Sequence, residues 1–268
     1  MRHRFPLLSI VALVALATIL SGGGGSAVAR GDGAQGSSKE PQVVAVHGVA
    51  KVQGQDAIVE ILVVVPPGAD VKAEAAAALR EHGAREISSA EFTTTGLVWD
   101  QFLDLDSGNN SVTQYYNPSR APSGAYDALK RSQTTWTNAP SSFVLSDGGT
   151  TTRCPSLVQE CPGPQYFDGK NDVGWLKIGS SRTLAVTWYG TSTDEADMAF
   201  NTRFKWYTGT GTPLPGQYDV QTVALHENGH VAGLGHSNID GAVMEPYYEG
   251  VRHALRADDI AGLSYLYP

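Results

Sequence analysis

The chain has 268 residues, 41% of them hydrophobic and 17% charged, which is enough apolar material to build one large domain or two small ones. A formal charge of -8 and a pI near 5.3, with Lys and Arg scattered along the chain, exclude the basic surface that neutralises phosphates, so nucleic acid is not an expected partner.

At the N-terminus, Arg2 and Arg4 precede an apolar run from Phe5 to Leu20, and the small-residue triplet Ala27-Val28-Ala29 follows. This is the pattern of a secretory signal, so residues 1–29 are read as a cleaved signal and the protein as secreted. A membrane anchor is the rival reading, but the run is broken by Ser9 and Thr18 and falls short of the roughly 20 apolar residues that cross a bilayer. No later stretch is apolar enough to span. Residues 30–41 are rich in Gly and Ser and form a flexible leader.

Residues 42–105 read as a small α/β unit of their own. Val43–Val52 and Ala57–Val65 are strands joined through Gln53-Gly54-Gln55-Asp56 as a hairpin. Pro66-Pro67-Gly68 ends the second strand, Asp70 offers a capping oxygen, and Val71–His82 is a helix stopped by Gly83. Another strand is expected around Gly96–Phe102.

From 106 to 268 a second organisation begins. Tyr115-Tyr116 suit a strand, and Ser123 is placed to cap a helix in which Ala125, Leu129 and Trp136 recur. Phe143–Leu145, Val173–Ile178, Leu184–Tyr189 and Met198–Asn201 are further strands, and helices are expected after Asp219 and over Ala257–Tyr265. Cys154 and Cys161, in an exported chain, favour a loop-closing disulfide over metal ligation, which would need a histidine or a second cysteine pair nearby.

The segment VALHENGHVAGLGHSNIDGAVMEPYY carries the chemistry. On a helix starting after Asp219, His226 and His230 are four residues apart and share one face, which suits one metal ion. Glu227 projects beside that ion without binding it and is placed to act on a water as general base. Gly233 is where the helix breaks, because a residue without Cβ takes positive φ, and the turn returns His236 as a third ligand. Three imidazoles with one open position are the ligand set of catalytic zinc.

This motif, followed at short range by Met244, resembles the metzincin proteases; Ser237 after the third histidine, the run AVMEPYY and the ending LRADDIAGLSYLYP are similar to the matrixin branch. Upstream, ADMAFNTRFKWYTGT and DGKNDVGWL resemble strand segments of bacterial members. The resemblance implies an α+β fold: a twisted, mixed five-stranded sheet with an antiparallel edge strand, packed on two long helices, with zinc in the cleft and a small C-terminal subdomain. It further implies Met244 as a floor beneath the ligands, Pro246 and Tyr248 as walls of the substrate pocket, one of Asp258 and Asp259 tied to the turn at Met244, and Met198–Asn201 as the exposed edge that pairs with an extended peptide. Residues 42–105 then sit where a prosegment would, yet contain no cysteine to place on the metal. Cover of the cleft is expected to be steric, with His47 or His82 as rival ligands.

The expected activity is hydrolysis of peptide bonds in extracellular proteins by one catalytic zinc, in a monomer with no membrane partner. The alternatives are a non-catalytic zinc-containing binding module and a zinc hydrolase of a non-peptide bond. Calcium is a lesser expectation, with Asp168, Asp172, Asp194 and Asp197 as its oxygen donors.

Overall fold

Val- and Ile-rich sequence builds β1 (Gln42–Val52) and β2 (Gln55–Val65). Gln53 and Gly54, both at positive φ (50° and 82°), close them into a tight antiparallel hairpin paired from Gln42↔Val65 to Val52↔Gln55. The computed structural model describes residues 40–86, 111–190 and 195–268. The signal at 1–29, the leader up to residue 39, the strand expected at Gly96–Phe102 and Asp194 lie outside these residues.

Helix α1 (Val71–Glu81) begins where Asp70 accepts a hydrogen bond from the Ala73 N–H at 2.7 Å, and the chain reverses at Gly83 into the short β3 (Arg85–Glu86), which pairs back on β1. Next come β4 (Ser111–Asn117), α2 (Ala125–Thr137), β5 (Val144–Thr150), β6 (Asn171–Leu176), β7 (Thr183–Gly190) and β8 (Ala196–Asn201). Short strands β9 (Lys205–Tyr207) and β10 (Gln217–Asp219) lead into α3 (Val220–Val231), and α4 (Ala257–Leu266) ends the chain. Cys154 and Cys161 are bonded to one another. Among the described residues no helix is long and apolar enough to cross a membrane.

The main sheet has the strand order β3-β1-β2-β7-β8-β6-β4-β5. Strands β5, β4, β6 and β8 run parallel, and β7 is antiparallel to β8, so the five strands of the α+β expectation are present with β7 as their antiparallel member. Two expectations are corrected. Among the described residues the sheet has eight strands, because β2 adds to the outer side of β7 and residues 42–86 continue the same sheet where a separate unit was expected. Met198–Asn201 is not an edge: β8 lies between β7 and β6 and is buried throughout. Both differences have one cause, since a strand's backbone donors and acceptors need partners on both sides and local sequence does not say which strands supply them.

A smaller difference concerns α2. Its N-cap is Gly124, at φ 82°, with no side-chain capping bond, and the Ser123 carbonyl accepts the Thr208 hydroxyl instead. One face of the sheet packs Trp175, Phe200 and Met198 against α2 and α3, while the other packs Ile61, Val63 and Trp188 against Leu79 of α1 and Leu157. Burial of a side chain such as Ile61 contributes about 1.5–3 kcal/mol. A third cluster, with Trp136, Leu225, Met244 and Tyr267, joins α2, α3 and the C-terminal segment.

Candidate metal centre

All twelve residues of α3 are buried, and most of its polar side chains find partners inside the protein, Glu227 being the exception. Asp219 caps it, accepting from the Thr222 N–H at 2.6 Å. Asn228 accepts from Gln114 at 2.9 Å and donates to Ser132 at 2.8 Å, and the Trp136 indole donates to the Leu225 carbonyl at 2.8 Å, which ties α3 to β4 and α2. These contacts fix the rotation of the helix and with it the direction of His226 and His230.

Gly233, at φ 90°, ends the helix, and its N–H donates to the His230 carbonyl at 2.9 Å. The returning chain brings His236 back, so the rings of His226, His230 and His236 stand 4.9, 5.0 and 5.4 Å apart. Nδ1 of His226 donates to the Val243 carbonyl and Nδ1 of His230 to the Leu234 carbonyl, each at 2.7 Å. Their Nε2 lone pairs then face one another at 3.3 Å. That approach is repulsive between neutral rings and becomes favourable around a shared cation, so the donor set fits zinc.

Glu227 is fully buried beside this set, with the Thr187 hydroxyl close by and neither carboxylate oxygen in a well-formed hydrogen bond. Burial first, and the negative charge of Glu60 second, push its pKa up to about 8, against the opposing pull of His226.

Met244 is buried beneath the helix, and a Cβ on Gly229 would collide with its sulfur and come within 2.9 Å of Trp136. Glycine at 229 is what admits this approach. Asp259 holds the turn, accepting from the Val243 and Met244 N–H groups at 3.0 and 3.1 Å and from Arg256 N–H at 2.7 Å, while Asp258 takes the Ser237 hydroxyl. Pro246 and Tyr248 line a pocket with Val223, His226 and Val243, and the Tyr248 hydroxyl accepts from the Asp219 N–H at 2.9 Å.

Two residues of the hairpin also stand in the centre: Glu60, which the sequence reading did not single out, and His47, which it named as a rival ligand. Glu60 of β2, 0% exposed, places its oxygens 2.9 Å from Nε2 of His226, 2.6 Å from His230 and 3.6 Å from His236. His47, its cross-strand partner on β1, pairs with it and lies edge-on to His230. The potential ligand atoms of His47, Glu60, His230 and His236 lie within 4.8 Å of one another, the only such group among the described residues. Burial alone would raise Glu60; the four imidazoles together outweigh it and hold the carboxyl well below its ordinary range. Its signal in the sequence is an isolated acid in the apolar run Ala57–Val65. His82 does not reach the centre and meets the Thr183 hydroxyl instead.

The acids read as calcium ligands are occupied by protein donors where they are described. Asp172 forms a two-pronged pair with Arg153, Asp197 accepts from the Leu157 and Asp172 N–H groups, and Asp168 accepts from the Lys170 N–H.

The break at Gly233, the returned histidine and the sulfur beneath the helix set this centre apart from a simple two-histidine zinc helix and resemble the arrangement of the metzincins. Residues 164–268 match the family model of the matrixins. Over 124 residues the chain is 30% identical to metalloendoproteinase 5-MMP of Arabidopsis thaliana, covering 43% of this chain and 34% of that protein. It is 47% identical over 49 residues to karilysin of Tannerella forsythia, covering 18% and 10%, and 30% identical over 157 residues to human matrix metalloproteinase-20, covering 57% and 29%. The chain thus spans about a third or less of the length of these relatives. Residues 164–268 of this chain are thus similar to the matrixins.

Proposed function

We propose that this chain is a secreted zinc endopeptidase that hydrolyses extracellular proteins, with His226, His230 and His236 as metal ligands. The observation that carries this reading is the pair of inward-facing Nε2 atoms on His226 and His230, fixed through their Nδ1 hydrogen bonds, with an unliganded Glu227 alongside. Zinc at such a site supplies Lewis-acid chemistry, polarising the scissile carbonyl and making water acidic enough to attack. Glu227 takes the proton of the attacking water and delivers it to the leaving amine. Pro246 and Tyr248 receive the side chain after the scissile bond, and β7 is the strand along which an extended peptide pairs once its outer side is free.

Residues 1–29 serve as the signal and 42–105 as a prosegment in this proposal. Calcium among Asp168, Asp172, Asp194 and Asp197 belongs to it as well. Burial pushes Asp197 well up and neighbouring Glu195 to about 7, and a bound cation would relieve that tension. Added calcium then raises the Tm of the purified protein.

The deciding experiment is metal analysis of the full-length chain together with cleavage of a quenched peptide after limited proteolysis. One equivalent of zinc, and cleavage abolished by a strong chelator, are expected. A second reading, a non-catalytic zinc module, draws on the hairpin lying in the groove; absence of any peptide or casein cleavage after processing decides for it.

A further inference from the structure

The groove beside the metal centre has two rims, and both are taken by main chain from the hairpin. On one rim β2 pairs antiparallel with β7, from Ala57↔Gly190 to Val63↔Thr183. On the other, the Ala45 N–H donates to the Pro246 carbonyl at 2.9 Å and the Tyr248 N–H donates to the Val43 carbonyl at 3.1 Å. Leu62 enters the lining of the pocket formed by Pro246 and Tyr248. Two residues earlier on the same face of the strand, Glu60 stands among the imidazoles.

A carboxylate buried without solvent is costly unless cations or strong donors surround it. Along β2 the residues between Ala57 and Val65 are otherwise apolar, and the Glu60 oxygens lie against ring nitrogens of His47, His226, His230 and His236, so that with the inward lone pairs of His226 and His230 a shared cation is what would hold this carboxylate there. The side chain opposite it on β7 is Thr187, the hydroxyl that lies near Glu227. A side-chain carboxylate, not a peptide carbonyl, therefore occupies the space among the three histidines.

We propose that Glu60 is a metal ligand of the intact chain, carried into the centre by a hairpin that fills the substrate groove, so that the protein is held inactive until this hairpin is displaced. This rests on the zinc-endopeptidase reading above. It differs from simple steric cover, because the blocking strand contributes a ligand atom and takes the open coordination position. His47 supports it from the neighbouring strand as a positioning residue, packed against His230 and His236.

The test uses full-length protein with cobalt(II) in place of zinc, whose absorption bands report the ligand set, titrated with acetohydroxamic acid as a small ligand for the open position. The wild-type spectrum is expected to change little on titration, and Glu60→Gln to show shifted bands and at least about tenfold tighter acetohydroxamate binding. Identical spectra and equal affinities in the two proteins would overturn the ligand assignment. The wild-type titration stands without any variant: ready binding of acetohydroxamate by the intact chain overturns the proposal even where Glu60→Gln does not fold. Peptidase activity in a chain shown intact by mass spectrometry overturns the block and leaves the endopeptidase reading standing. Failure to take up any metal overturns that reading itself.

Discussion

Helix α3 and strand β2 face each other across the metal centre, and they bury polar groups on different terms. On α3, His226 and His230 are anchored through Nδ1 to the Val243 and Leu234 carbonyls, and Asn228 is bound to α2 and β4. Their positions are set by the domain that carries them. On β2, Glu60 sits in an apolar strand and finds its partners on α3, on the returning loop and on β1. The helix is built to hold a site, whereas the strand's one buried charge makes sense only when the strand lies in that site.

The largest test of this contrast is Glu227→Gln, which keeps shape and removes the base. Measured on the processed enzyme, kcat is expected to fall by about 10²-fold or more while zinc content stays at one equivalent. Retained turnover would move the catalytic role away from α3. Next in size is Asp259→Ala, which strips the acceptor from three backbone N–H groups around Met244. A loss of about 3 kcal/mol in denaturant unfolding is expected, with weakened zinc retention, because the turn under the ligands loses its clamp.

On the hairpin side of the sheet, the Cys154–Cys161 loop carries Leu157 and Val158 into the cluster that packs Ile61 and Val63. Replacing both cysteines with Ser is expected to cost about 2–3 kcal/mol by the loop-closure argument, read as a lower Tm. The smallest effect is an acid dependence. His82, at the end of α1 against Thr183, is lowered by burial to about 4, with Glu81 opposing. Since the unfolded chain binds this proton from an ordinary value of 6.5, stability is complete above that pH and is lost as pH falls from 6.5 towards 4, by about 2 kcal/mol at pH 5. Unfolding curves of wild type and His82→Leu over this range should converge in slope if the assignment is wrong.

Local elements were legible because their signals are local. The Val-rich strands and Gln53-Gly54 describe the hairpin, Asp70 and Gly83 bound α1, Asp219 starts α3, and Gly233 ends it where expected. The spacing of His226, Glu227, His230 and His236 brings the four side chains into one centre as a direct result of helical geometry and one positive-φ glycine. Partners distant in sequence were not legible. Met198–Asn201 reads like any short strand, and nothing in it says whether it lies inside or at the edge of a sheet.

What the sequence by itself determined is the metal helix, its break and the chemistry of its side chains, because periodicity and glycine conformation act within a dozen residues. What only the tertiary structure decided is that β2 seals β7 and that Glu60 lands between His226 and His230, 166 residues further along the chain in the case of His226. Strand pairing is made of backbone hydrogen bonds that every residue offers alike, so the choice of partner rests on the whole set of packed faces, which exists only once the chain has folded.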